Sequence, residues 1–443
     1  MQSSSFSPRI LLAGVQWMFF ILTNTLVVPL TLGQAFRLTP DQVAQSVQLS
    51  FLLTGAACVC QALFGHRRAL MDGPAGIWWG FTLSIAATAG TGSSLSLVEV
   101  GGGLAAGYML AAVVMIVLGL LGFSQVLIRL FNPIVISVFL FLLTAQLMGT
   151  FFRGMLGIGG EGTLNPGVTL LSIGTALLVG LIYLRGGTLG NYALLTGIMA
   201  GWAAFAILYG TDLAPHTPPP SHSSGPTSFT WFPWGAPRFE LGIMLTSFIV
   251  GLINMSNTVT SLTAYANNYG DSATPAQYRR SYLISGLFSL ASPALGQLPF
   301  GTFASSIGLL ESTRILHRNA LTIGGGLFMV FGLVTPLGHA LAALPLTVGS
   351  AVLFVAYLQM FGTAVRTLRG WSFDSRTIYR LALPFLLGIS IMHTPSSVFS
   401  SLPTVLQPLL SNGLIVGVLL SVLLEATVDW TRFEDKTTAK SPQ

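Results

Sequence analysis

Charge is what this sequence most lacks. Only 7% of its 443 residues are Asp, Glu, Lys or Arg, while 52% are hydrophobic. A soluble domain carries about 25% charged residues, so a soluble globular fold is excluded. A disordered chain is excluded as well, because such chains are polar and charge-rich. Cysteine is nearly absent. Cys58 and Cys60 share one apolar run, which excludes a disulfide-built secreted scaffold. Of the six histidines, none pairs with an acid inside an apolar run at ligand spacing. Metal-dependent and nucleophilic enzyme chemistry therefore has no residue set here, and no cofactor or metal is expected.

What is present is apolar length. A helix crossing the hydrocarbon core needs about 20 mostly apolar residues. Such stretches lie at 10–32, 43–64, 69–89, 104–123, 130–150, 167–184 and 191–210. They resume at 241–263, 282–298, 300–316, 320–341, 345–365, 377–394 and 407–429. The reading is an all-α polytopic membrane protein of about fourteen spans.

Positive charge tests that count. Cytoplasmic loops are rich in Lys and Arg. With the N-terminus inside, strict alternation leaves only Arg37, Arg153 and Arg238 outside, and the other 16 of the 19 Lys and Arg inside. Both termini are therefore expected in the cytoplasm. The net charge of +6 becomes an orientation signal, with no nucleic-acid partner required. The pairs Arg67–Arg68 and Arg279–Arg280 read as topology anchors.

Residues 211–240 form a polar, proline-rich external loop that divides the chain into two sets of seven spans. Residues 1–210 form the first repeat, 241–430 the second, and 431–443 a cytoplasmic tail. An odd number of spans per half turns the halves upside down relative to each other, which is the architecture of inverted-repeat carriers. In that architecture interrupted helices at matching positions form the binding site near the midplane. Spans three and ten both carry such breaks, at Met71-Asp72-Gly73-Pro74-Ala75-Gly76 and Leu298-Pro299-Phe300-Gly301-Thr302-Phe303-Ala304-Ser305-Ser306. Proline removes a backbone donor, and non-helical backbone at this depth survives only where it pairs internally or lines a cavity. Span eight adds Asn254, Met255, Ser256, Asn257, Thr258, Thr260 and Ser261. Such amides and hydroxyls either tie helices together or face a substrate.

At these residues the chain resembles the nucleobase–ascorbate transporters, also called nucleobase:cation symporters. Gly14-Val15-Gln16-Trp17 through Asn24-Thr25-Leu26-Val27-Val28-Pro29 looks like the family's opening helix. Ser305-Ser306-Ile307-Gly308 through Ser312-Thr313-Arg314 looks like its span-ten signature. Gly65-His66-Arg67-Arg68-Ala69, Gly73-Pro74, Trp78-Trp79-Gly80, Tyr278-Arg279-Arg280-Ser281 and Pro408-Leu409-Leu410-Ser411-Asn412-Gly413 are similar to enterobacterial proteins described as purine permeases.

The resemblance implies a bacterial inner-membrane carrier for a nucleobase, a purine or oxopurine, with H+ or Na+ as coupling cation. It implies a core domain of spans one to four and eight to eleven, a gate domain of spans five to seven and twelve to fourteen, elevator-type movement between them, and a homodimer. The expected substrate-binding residues are Gly76, Asn254, Met255, Asn257, Phe303, Ala304, Ser305 and Ser306, with Trp78 and Phe300 as stacking faces and Gln16 and Trp17 as first-span support.

The chain departs from the family at its carboxylates. Relatives carry a glutamate in span eight, where Met255 or Asn254 aligns here. They carry an acid or Gln in span ten, where Ser305 aligns, with Ser306 at the family Asn. Val259 or Thr258 occupies the proton-coupling position. Asp72, Glu240, Glu311 and Glu425 fall near span ends, so a neutral pocket is expected. Alternatives on the same fold are a carrier of another polar solute or an anion, and an uncoupled facilitator or channel. The charge rings and repeated carbonyl filters of channels are absent from the sequence.

Overall fold

The computed structural model describes residues 7–430 except 90–94, 158–163, 187–189, 191–192, 211–229, 337–343 and 404. Most of the polar loop at 211–240 and the tail at 431–443 lie outside the described residues.

The first half contains α1 (Pro8–Thr25), α2 (Val27–Ala35), α3 (Pro40–Leu63), β1 (Asp72–Pro74), α4 (Gly76–Thr88), α5 (Leu97–Leu120), α6 (Ser124–Leu130), α7 (Pro133–Met155), α8 (Pro166–Arg185) and α9 (Ala193–Tyr209). The second half contains α10 (Leu241–Tyr269), α11 (Pro275–Ala291), β2 (Phe300–Thr302), α12 (Ser306–Thr313), α13 (Arg318–Leu333), α14 (Leu346–Thr367), α15 (Ser375–Met392) and α16 (Gly413–Thr427). Every one of the fourteen apolar stretches carries a helix. Among the described residues, seven of the helical segments are long and apolar enough to cross a membrane on their own, α1 and α2 counting together as one.

Local chemistry sets the helix starts. Thr39, Ser96 and Thr274 each form a capping box with the Gln or Glu three residues on, which satisfies two first-turn donors at once. These boxes also correct two boundaries. Span nine begins at Pro275 rather than near 282, and span four at Leu97 rather than 104. Arg279 and Arg280 therefore lie within the second turn of α11 instead of in the preceding loop.

The helices pack in two groups. In one, α13 lies on α1 and α3, and α5 lies on α10 and α11. In the other, α14 lies on α7, α8 and α9, and α15 and α16 lie on α7. Close crossings hold the first group together: a Cβ on Gly55 would sit 2.5 Å from the Gly325 carbonyl oxygen.

Arg68 turns out to be more than a topology anchor. It is 4% exposed, and its guanidinium donates to the Asp271 carboxylate at 2.7 Å, the Asp271 carbonyl, the His66 carbonyl and Gln277 Oε1. It clamps the loop after α3 to the turn before α11. Arg68→Gln should lower the thermal midpoint of the purified protein while leaving its substrate preference unchanged, as read by differential scanning fluorimetry and a competition assay.

Candidate functional site

β1 and β2 form a two-stranded antiparallel ribbon, with Asp72 opposite Thr302, Gly73 opposite Gly301 and Pro74 opposite Phe300. Flanking bonds from Ala75 N to Pro299 O and from Phe303 N to Met71 O extend it at both ends. Each strand leads directly into a short helix, α4 or α12, so the two breaks read in the sequence pair with each other. Internal pairing is what non-helical backbone inside a membrane requires.

Alternation along the ribbon separates two faces. On the glycine face, Asn254 of α10 closes over Gly301. Its Nδ2 donates to the Phe300 carbonyl at 2.9 Å, and its Oδ1 accepts from Asn257 Nδ2 at 3.0 Å. A Cβ on Gly301 would meet Asn254 Oδ1 at 2.7 Å. Asn254 is buried, while Asn257 remains partly accessible.

On the other face lies Asp72, which is 0% exposed. Its Oδ2 accepts from Ser285 Oγ at 2.7 Å, Gln61 Nε2 at 3.0 Å and Thr302 Oγ1 at 3.4 Å. Its Oδ1 has no hydrogen-bond partner among the described residues. The expected place of Asp72, near a span end, is thus corrected. Asp72 begins span three in the sequence, but the loop after α3 folds back and carries it into the protein interior between α3, β2 and α11.

The remaining expected residues divide between the ribbon and the packing around it. Ser306 is fully buried and its Oγ accepts from Met71 N at 2.9 Å, so it ties the two strands together. Ser305 is exposed, and Phe303 and Ala304 are half-buried beside it. Met255 is buried in the apolar core, and its carbonyl accepts from Tyr282. Trp78 and Phe300 are spent on packing. Trp78 meets Tyr108 and Phe81 edge-on, and Phe300 lies against Phe288. Trp17 packs on Gly324 of α13, and Gln16 is half-buried one position before it.

Gly76 faces the other helix group. A Cβ there would lie 3.4 Å from the Tyr357 hydroxyl of α14 and 3.7 Å from Leu143 of α7. Trp79 meets Tyr357 edge-on at 6.2 Å and Phe151 at 5.3 Å, while its Nε1 donates to Thr31. Gln146 Nε2 donates to the Gly80 carbonyl at 2.9 Å. Sequence reasoning missed Trp79, Gln146, Tyr357 and the Gln61–Ser285 pair. The amides Gln61 and Gln146, each inside an apolar helix, carried a legible signal, because hydrocarbon cannot satisfy them. The choice between Trp78 and Trp79 had no such signal.

The permease family model Xan_ur_permease matches residues 8–397. YwdJ of Bacillus subtilis (strain 168), whose name marks it provisionally as a purine permease, is 27% identical, with 96% of this chain and 97% of YwdJ covered. The uric acid permease PucJ of the same organism is 26% identical over 94% of this chain and 92% of its own. Among solved structures, the transmembrane domain of the cyanobacterium bicarbonate transporter BicA superposes with a TM-score of 0.57 at 13% identity, covering 95% of this chain and 97% of that one. The murine Slc26a9 anion transporter gives 0.65 at 14% identity, covering 96% and 69%. These two likenesses concern the fold alone.

Proposed function

Since this chain belongs to the permease family, whose model spans nearly all of its apolar stretches, we propose that it carries a purine or oxopurine base across a bacterial inner membrane. The observation that supports this reading is that Asn254 closes over the Gly73–Gly301 ribbon and is bonded to Asn257, while the chain leaving β1 faces Tyr357 and Leu143 at Gly76 and Gln146 at Gly80. A purine presents donors and acceptors along a flat edge, and carboxamides match such an edge well, as Asn and Gln do with adenine in DNA. Named relatives transport uric acid and nucleobases, which agrees with the chemistry of the site.

In this reading the α1–α5 and α10–α13 group is the moving core, and the α7–α9 and α14–α16 group is the gate. With both termini cytoplasmic, Trp79, Phe151 and Tyr357 close the external side. A cavity of about 450 Å3 lined by Asn268, Tyr269, Leu310, Arg314 and Leu316 then lies at the cytoplasmic ends of α10 and α12. A homodimer in the bilayer fits the same reading.

The test is uptake of labelled uric acid and xanthine in a transport-deficient host, with unlabelled purines, pyrimidines and ascorbate as competitors. Saturable uptake with purine-selective competition is expected. Gly76→Val should leave folded yield unchanged yet reduce uptake severely, because its first added carbon only reaches van der Waals distance from Tyr357. Uptake that only pyrimidines or anions compete for would overturn the reading.

A further inference from the structure

Resting on that carrier reading, we propose that Asp72 is the proton-carrying group that couples transport to a proton gradient, linked to span eight through Thr302 and Thr258.

The first observation is isolation. Several other acids at the helix ends are committed to arginine. Glu99 and Glu240 contact Arg238, and Glu425 is held by Nε and Nη2 of Arg380. Asp72 is completely buried, and no cation lies within ion-pair distance of it among the described residues. An ionisable residue inside a membrane protein is costly and is retained for a functional reason by default. The structural alternative, a carboxylate serving only as a hydrogen-bond acceptor for the ribbon, leaves one oxygen without purpose. Oδ2 takes all three donors, while Oδ1 has none. Three donors on one oxygen suit the ionised group, and a bare second oxygen is where a proton can add.

The second observation is the connection. Thr302 Oγ1 lies 3.4 Å from Asp72 Oδ2 and 3.2 Å from Thr258 Oγ1. Ser261 Oγ donates to the Thr302 carbonyl. Thr258 stands one helical turn after Asn254 on α10, and Asn254 holds the Phe300 carbonyl two residues from Thr302. Protonation of Asp72 changes what it accepts from Thr302, and the same strand carries the substrate-facing amide contact. The proton forms an O–H bond at Asp72 on one side of the membrane and leaves the same oxygen on the other, so no further reactant is needed.

The other titratable and charged groups on the packed elements are accounted for. Cys58 of α3 donates its thiol to the Asp72 carbonyl, and Cys60 follows it on the same helix. Asp41 lies in the first turn of α3, at the opposite end from Gln61. In the loop, His66 accepts from Arg68 N, Arg67 is exposed, and Arg68 is held by Asp271. On α11, Tyr282 donates to the Met255 carbonyl, and Tyr278, Arg279 and Arg280 sit toward its start. Tyr265 and Tyr269 pack against each other at a tilt at the end of α10.

The test uses the full chain in proteoliposomes with labelled uric acid. One pH unit across the membrane is worth about 1.4 kcal/mol, or up to ~10-fold accumulation for one proton per base. Wild type should show both counterflow exchange and gradient-driven accumulation. Asp72→Asn should keep exchange but lose accumulation, because a fixed neutral group neither takes up nor releases a proton. Thr302→Val should keep exchange and weaken accumulation, and it decides the matter if Asp72→Asn does not fold. Accumulation by Asp72→Asn, or by Thr302→Val where that variant decides, equal to wild type overturns the proposal. So does a wild type that exchanges the base but responds only to a sodium gradient or to no gradient. A wild type that exchanges no purine at all overturns the carrier reading beneath it.

Discussion

Asn254→Ala is expected to cut purine uptake by ~10- to 100-fold while the protein still folds. Asn254 supports the site in two ways. It satisfies the Phe300 carbonyl of β2, and its Oδ1 fixes the partly accessible Asn257 by accepting from Nδ2. Alanine removes both bonds and leaves a buried carbonyl without its donor, a loss of about 1–3 kcal/mol. The fold tolerates that, because the ribbon keeps its strand pairing and its ties to Ser289 and Ser306. The site does not, since each 1.4 kcal/mol is about tenfold in affinity. Two hydrogen bonds lost at the substrate edge should therefore reduce uptake by ~10- to 100-fold. The measurement is the initial rate of uptake divided by folded protein, the latter from fluorescence-detected gel filtration. Wild-type rate with unchanged competition would remove Asn254 and Asn257 from the site.

Gly324→Val is expected to fail at an earlier level, in folding itself. A Cβ at Gly324 would lie 2.5 Å from Trp17 Cβ, 2.7 Å from the Gly14 carbonyl oxygen and 2.9 Å from Met18 N. Two of these neighbours are backbone atoms of α1 and cannot swing aside. The next residue, Gly325, makes the matching approach to α3, with its Cβ position 2.9 Å from the Gly55 carbonyl oxygen. Helix α13 is wedged between two partners, and separating one crossing strains the other. Overpacking costs typically ~1–3 kcal/mol and more where backbone must shift, and helix contacts in membranes depend on close approach of small residues. Monodisperse yield should collapse for Gly324→Val but not for Gly326→Val, where a Cβ meets nothing within 4 Å. Equal yields would show that the α1–α13 crossing adjusts freely.

The helices were legible because each signal is local. Runs of about 20 apolar residues mark the spans, whereas the starts set by Ser96 with Glu99 and Thr274 with Gln277 lie at Leu97 and Pro275, ahead of where those runs begin. The breaks at Gly73-Pro74 and Pro299-Phe300-Gly301 were legible for the same reason. The register in which they pair, Asp72 opposite Thr302 and Pro74 opposite Phe300, was not. The roles of neighbouring aromatics were also hidden. Trp78 and Trp79 are adjacent in sequence, yet one fills the core beside Tyr108 and the other meets Tyr357 across the groups. On a helix, adjacent residues point about 100° apart, so a one-residue difference decides which wall a ring meets.

The sequence by itself determined the solvent, the number of crossings and the places where helices break. Each follows from composition and from runs of about 20 residues, the length the bilayer imposes. Only the tertiary structure decided what the scarcity of charge means inside the protein. Read along the chain, Asp72 stands near the end of a span and counts as one of the few acids at a membrane boundary. The reversal of the chain after α3 and its pairing with a strand 230 residues away put that carboxylate in the interior, against Gln61, Ser285 and Thr302. Burial depends on which distant segment lies opposite, and no local pattern carries that information.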